Sequence, residues 1–74
     1  MLHWDAENRR HVRRHGLTEG QVEQAIADPM GMIVDGEIVD EEERITAIGS
    51  SADGTILVVI FSERNNEIHP VTAY

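Results

Sequence analysis

His11 and His15 stand four residues apart, Arg10 and Arg14 precede them, and Arg9 and Arg13 complete a run in which Val12 alone is neither arginine nor histidine. On an α-helix a spacing of four is one turn, so the two imidazoles share a face. Histidine titrates near neutrality, so one imidazole can accept a proton while another donates one. Guanidinium groups beside them would grip a phosphate and stabilise the charge it gains in a transition state. Metal-independent RNA cleavage asks for little more, because the 2′-hydroxyl of RNA is itself the nucleophile. The competing reading is a solvated helix end whose arginines pair with the acidic run Asp40 to Glu43 or with an acidic partner.

Other chemistry is less well supported. His11 and His15 have the spacing of two zinc ligands on a helix, with His3 or Asp5 as possible third ligands, but four neighbouring arginines repel a dication. No metal and no cofactor is expected. Trp4 has the flat surface for stacking on a base, yet as the lone tryptophan it reads first as an anchor between helix and sheet. There is no glycine-rich phosphate loop, dinucleotide fingerprint or serine or cysteine triad. Arg64 is a second candidate for phosphate contact, set against an ordinary surface ion pair.

The elements that must position these groups follow from local signals. Asp5 can cap a helix running from Ala6 to His15, and Gly16 closes it. Thr18 and Gln21 have the form of a capping box for a second helix, which Asp28-Pro29 ends. A short strand is expected from Met30 to Asp35, a turn at Asp35-Gly36 and a solvated loop through Asp40 to Glu43. Strands over Arg44 to Ser50 and Thr55 to Ser62 flank a turn at Ala52-Asp53-Gly54. Asn65-Asn66 turns into a last strand from Glu67 to Ala73, with Pro70 on an edge or a bulge. The fold class is α+β: two N-terminal helices followed by a four-stranded antiparallel sheet, one domain over residues 1–74. Ile56 to Phe61 is apolar throughout, so both sheet faces want cover while the helices reach only one. A second copy forming a homodimer through the sheet face, a heterologous partner or a segment beyond Tyr74 would meet that need.

Bulk composition narrows the class. A 74-residue chain is near the size where a core alone gives about 3–5 kcal/mol. It has no cysteine, which suits a reducing cytoplasm. No apolar run approaches the roughly 18–20 residues of a membrane span. The net charge of −8 rules out a uniformly basic nucleic-acid surface, yet all six cationic residues are arginines, and four of them sit between Arg9 and Arg14. From Leu17 to Glu43 there is no lysine, arginine or histidine, so the chain is electrically polarised.

Taken together, Trp4-Asp5, Glu7-Asn8, Arg14-His15-Gly16-Leu17, Asp28-Pro29, Glu43-Arg44, Gly49, Gly54-Thr55-Ile56-Leu57-Val58-Val59, Glu63-Arg64 and Ile68 to Ala73 resemble, in order and spacing, the BrnT family of toxins. The resemblance spans nearly the whole chain. It implies a RelE-like ribonuclease, the toxin of a type II toxin–antitoxin pair, acting on RNA. Its partner would be a BrnA-like ribbon-helix-helix antitoxin that buries the toxin and binds the operon, so that DNA is met only through the antitoxin. On this reading Arg64, His69 and His15 are the catalytic set, and Arg10, Arg13, Arg14 and His11 contact RNA. His69 and Tyr74 fall where the family commonly has arginines, and its usual basic helix has no counterpart before Tyr74. The alternative implied by these departures is a catalytically impaired toxin-like module that retains antitoxin binding.

Overall fold

The structure, a computed structural model, describes residues 2–74. Helices α1 (Ala6–Arg14) and α2 (Glu19–Ala27) precede strands β1 (Met32–Val39), β2 (Glu42–Ser50), β3 (Ile56–Arg64) and β4 (Glu67–Ala73). The strands form one antiparallel sheet in the order β1-β2-β3-β4. The expected fold class is therefore the observed one.

Both helices start on reciprocal caps. The Asp5 carboxylate accepts from Asn8 N while Asn8 Oδ1 accepts from Asp5 N, each at 2.8 Å. Thr18 and Gln21 repeat the arrangement at α2. Such caps satisfy N–H groups that the first turn leaves free. The Asn8 interaction holds the Asp5 carboxyl below its usual pKa. After His15, Gly16 takes φ +75°, the left-handed exit that glycine adopts without strain.

The helices cover one face of the sheet. Val12, Val22, Ala25, Leu57, Val59, Phe61 and Ala73 form the buried core, with Trp4, Leu17, Ile26 and Ile45 packed around it. Trp4 is thus an anchor, and its indole N–H donates to Glu23 at 2.9 Å. The far end of α2 is tied to β2 by Asp28, which accepts from Met30 N and Ser50 N at 2.9 Å each. Those two bonds lower its pKa. The other face of the sheet, carrying Ile48, Ile56, Val58 and Ile60, is only partly buried, and Ile56 is exposed.

Two expectations fail in the first hairpin. Asp35-Gly36 is not a turn but lies inside β1, and the acidic run is not a loop, because Glu42 and Glu43 already belong to β2. The turn is Asp40-Glu41, both with positive φ (52° and 65°), between the paired residues Val39 and Glu42. This is the two-residue geometry that matches the twist of a hairpin. Asn65-Asn66 makes the same turn between β3 and β4 with the residues that favour it. Glutamate does not favour it, so Glu41→Gly should stabilise the protein by about 0.5–1 kcal/mol. A thermal melt reads this as a rise of a few degrees; an unchanged or lower midpoint would refute it.

Candidate functional site

The sheet register decides which polar side chains meet. Phe61 faces the helices, so Ser62 and Arg64 point to the open face. Ser62 pairs with His69 and Arg64 with Glu67. Glu37 pairs with Arg44, and one step on from the Ile45–Phe61 pair Arg44 lies opposite Ser62. A row Glu37, Arg44, Ser62, His69 therefore crosses all four strands. Beside it runs a second row, Glu42, Arg64, Glu67, in which Arg64 Nε lies 3.6 Å from a Glu42 carboxylate oxygen.

A β-bulge brings His69 into this set. Phe61 opposes Pro70 but Ile60 opposes Thr72, which leaves Val71 as an extra residue. Ala73 is fully buried against the helices. Strict alternation back from Ala73 would put His69 on that buried face too; the inserted residue turns it to the open face. Bulges commonly re-aim side chains in this way. Pro70, lacking an N–H, sits beside the irregularity as expected.

The open-face cluster contains two unpartnered polar atoms: Arg44 Nε and Ser62 Oγ, both buried. An unmatched buried donor or hydroxyl destabilises the fold by about 1–3 kcal/mol, and a hydrogen-bonding ligand that reached either atom would relieve that cost. His3 completes the cluster. Its N–H donates to Ile68 O at 2.7 Å, beside a parallel bridge from Leu2 to Ile68. Its ring centroid is 4.8 Å from that of His69, and its Nδ1 is 4.0 Å from Glu67.

The α1 cluster divides three ways. Arg9 and Arg13 turn toward α2, where Glu19 takes both at 3.1 and 3.5 Å. The acidic run Asp40 to Glu43 is therefore not their partner. Arg10 and Arg14 make no ion pair among the described residues and line an open basic groove with Arg9 and Arg13. His11 turns the other way, into a crevice with Pro70 and Val71, and pairs at 3.9 Å with Glu7. His15 approaches Tyr74, with ring centroids 6.0 Å apart. All four histidines of the chain thus follow β4: His3 and His69 at its start, His11 at its bulge and His15 at its end.

This geometry separates the expected catalytic residues. Arg64 and His69 are diagonal neighbours on one face, roughly 7–8 Å apart at their backbones. His15 lies by Tyr74, roughly 15 Å further along the strand. Its grouping with His11 and Arg14 stands, but on the flank of α1. Arg44, Ser62 and His3 were not singled out for RNA chemistry in the sequence. Their place in the site depends on strand register, and no local motif signals it.

A family model described as "Ribonuclease toxin, BrnT, of type II toxin-antitoxin system" matches residues 4–74. The chain belongs to the BrnT family. It is accordingly a ribonuclease toxin of a type II toxin–antitoxin system, and such a system supplies an antitoxin partner. No curated protein and no solved structure matches the chain. Among the described residues no helix is long and apolar enough to cross a membrane.

Proposed function

We propose that this BrnT-family chain cleaves RNA without a metal on the open face of the sheet, with the scissile phosphate over Ser62. Arg44 and Arg64 flank that position and stabilise the phosphorane charge. His69 and His3 are the proton-transfer pair. One takes the proton of the 2′-hydroxyl as its oxygen attacks phosphorus; the other protonates the departing 5′-oxygen, leaving a 2′,3′-cyclic phosphate and a 5′-hydroxyl. The strand leading away from the cut follows the edge of β4, past His11 toward Arg14 and Arg10, while Arg13, tied to Glu19, contributes less. A ribbon-helix-helix antitoxin neutralises the activity.

The observation that supports this reading is the single row of Arg44, Ser62 and His69 with Arg64 beside it, brought together by the bulge at Val71. Incubation of the purified chain with RNA tests it. Cyclic-phosphate ends should form at a rate that EDTA leaves unchanged. His69→Ala should slow cleavage by about 10²–10³-fold, and His15→Ala by less than about tenfold. Cleavage that requires an added divalent cation, or that survives His69→Ala intact, overturns the proposal. One observation favours the alternative of an impaired binding module: Glu42 lies against Arg64 and Glu67 opposite it, so acid tempers the cation. Absence of cleavage with retained antitoxin binding would select that reading.

A further inference from the structure

Among the described residues, the outer edge of β1 has no neighbour. Of the seven large apolar side chains that stand exposed among the described residues, Met30, Met32, Ile33, Val34 and Ile38 lie on this strand or just before it; Ile33 is 71% and Ile38 76% exposed. Free edges are commonly guarded by lysine, proline, charged side chains, a bulge or a covering element; among the described residues β1 has no lysine, proline or cover, and only a bulge and two acidic side chains interrupt its apolar run. Its two sides also differ. A bulge at Val34 sets the pairing so that Ile33 and Ile38 fall on the helix side, while Asp35 and Glu37 fall on the open side. Next to Ile33 an apolar hollow of about 130 Å³ opens between α2 and the sheet, lined by Ala25, Ile26, Ala47 and Phe61 among others. That space suits a single aliphatic side chain.

We propose that β1 accepts an extended segment of the antitoxin as a fifth strand, in which apolar residues alternate with arginine or lysine. The inference rests on reading the chain as a toxin with a protein antitoxin. Charge selects this occupant. An antiparallel pairing of two β1 edges centred on Gly36 would set Asp35 directly opposite Glu37, and like charges so placed repel. Each copy also carries a net charge of −8. A basic strand instead pairs with Asp35 and Glu37 on one side and fills the hollow on the other. Backbone bonds supply affinity, and alternate side chains supply specificity. Ile33 and Ile38 lie on the helix side of the sheet and the Arg44, Ser62 and His69 row on the open side, so substitutions at these two positions leave the cleavage residues in place.

The test uses the full chain and the antitoxin encoded beside it. Ile33→Lys combined with Ile38→Lys changes exposed positions, so the thermal melt and the RNA cleavage of the free chain stay as in the unmodified protein. Affinity for the antitoxin, by calorimetry, should fall at least 30-fold. In the unmodified complex, amide hydrogens from Ile33 to Val39 should exchange at least tenfold more slowly than in the free chain. Arg10→Glu with Arg14→Glu should leave affinity within about threefold. Unchanged affinity of the β1 variant, unslowed β1 exchange, loss of affinity in the arginine variant instead, or a β1-dependent homodimer in sedimentation would each overturn the proposal. Because cleavage is read on the free chain, its outcome is independent of the docking result.

Discussion

Replacing Gly49 with alanine should remove most of the protein's stability. Gly49 sits in β2 on the face that carries α2, and a Cβ there would fall onto the Ala25 carbonyl, within 2.8 Å of its carbon and 3.1 Å of its Cα. These are backbone atoms, so no rotamer change relieves the clash. The helix end cannot slide freely either, because Asp28 holds it to Ser50 and Met30. Lifting α2 would draw Val22 and Ala25 out of the core. Overpacking costs about 1–3 kcal/mol, and contact with backbone places this case at the upper end. A domain of this size has only about 3–5 kcal/mol to lose. Gly36→Ala is the matched control, because nothing lies within 4 Å of a Cβ there. Thermal melts should show Gly36→Ala within about 0.5 kcal/mol of the unmodified protein and Gly49→Ala lower by more than 10 °C. A Gly49→Ala midpoint within 3 °C would show that the close approach of helix and strand is not needed.

The same close approach shows what the residues disclosed and what they withheld. The caps at Asp5 and Thr18, the exit at Gly16 and the apolar run of β3 are local signals, and each appears in the fold where it was expected. The first hairpin was misread for a local reason too. Asp35-Gly36 has the composition of a two-residue turn, whereas the actual turn places glutamate in a conformation that side chains resist. Asp53 lay in an expected turn, but its bonds reach further. It accepts from Ser51 and Thr55 within the loop and from Gln21 on α2, and its pKa falls to about 2.

The site was legible only in part, and the division follows sequence separation. Arg64 and His69 stood out because they are basic or titratable residues near the final turn. Arg44 and Ser62 join them through pairings across β2, β3 and β4, which no window along the chain contains. His15 groups with His11 by helical spacing, and the fold sets it beside Tyr74, the length of β4 away from Arg64. The bulge at Val71 has no composition signal beyond its neighbour Pro70. Without it, alternation would have assigned His69 to the core.

Arg44→Met should separate stability from activity more sharply than any other single change. Arg44 has a buried Nε with no partner, and Ser62 beside it is fully buried with an unmatched hydroxyl. Methionine keeps much of the apolar stem and removes the charged head together with its unsatisfied donor. If Arg44 served only to cover Ser62, the substitution would leave RNA cleavage near its original rate. If it holds the phosphate, cleavage should fall by about 10²–10³-fold, while the melting midpoint stays level or rises because the unmatched donor is gone. Arg44→Lys keeps a charge but lacks the planar fork that grips two phosphate oxygens, so it should recover only a minor part of the rate. Loss of activity together with loss of stability would assign Arg44 to the fold. The expected divergence would instead mark it as a residue kept for RNA at a cost to the folded state, in the row that the register of β2, β3 and β4 assembles.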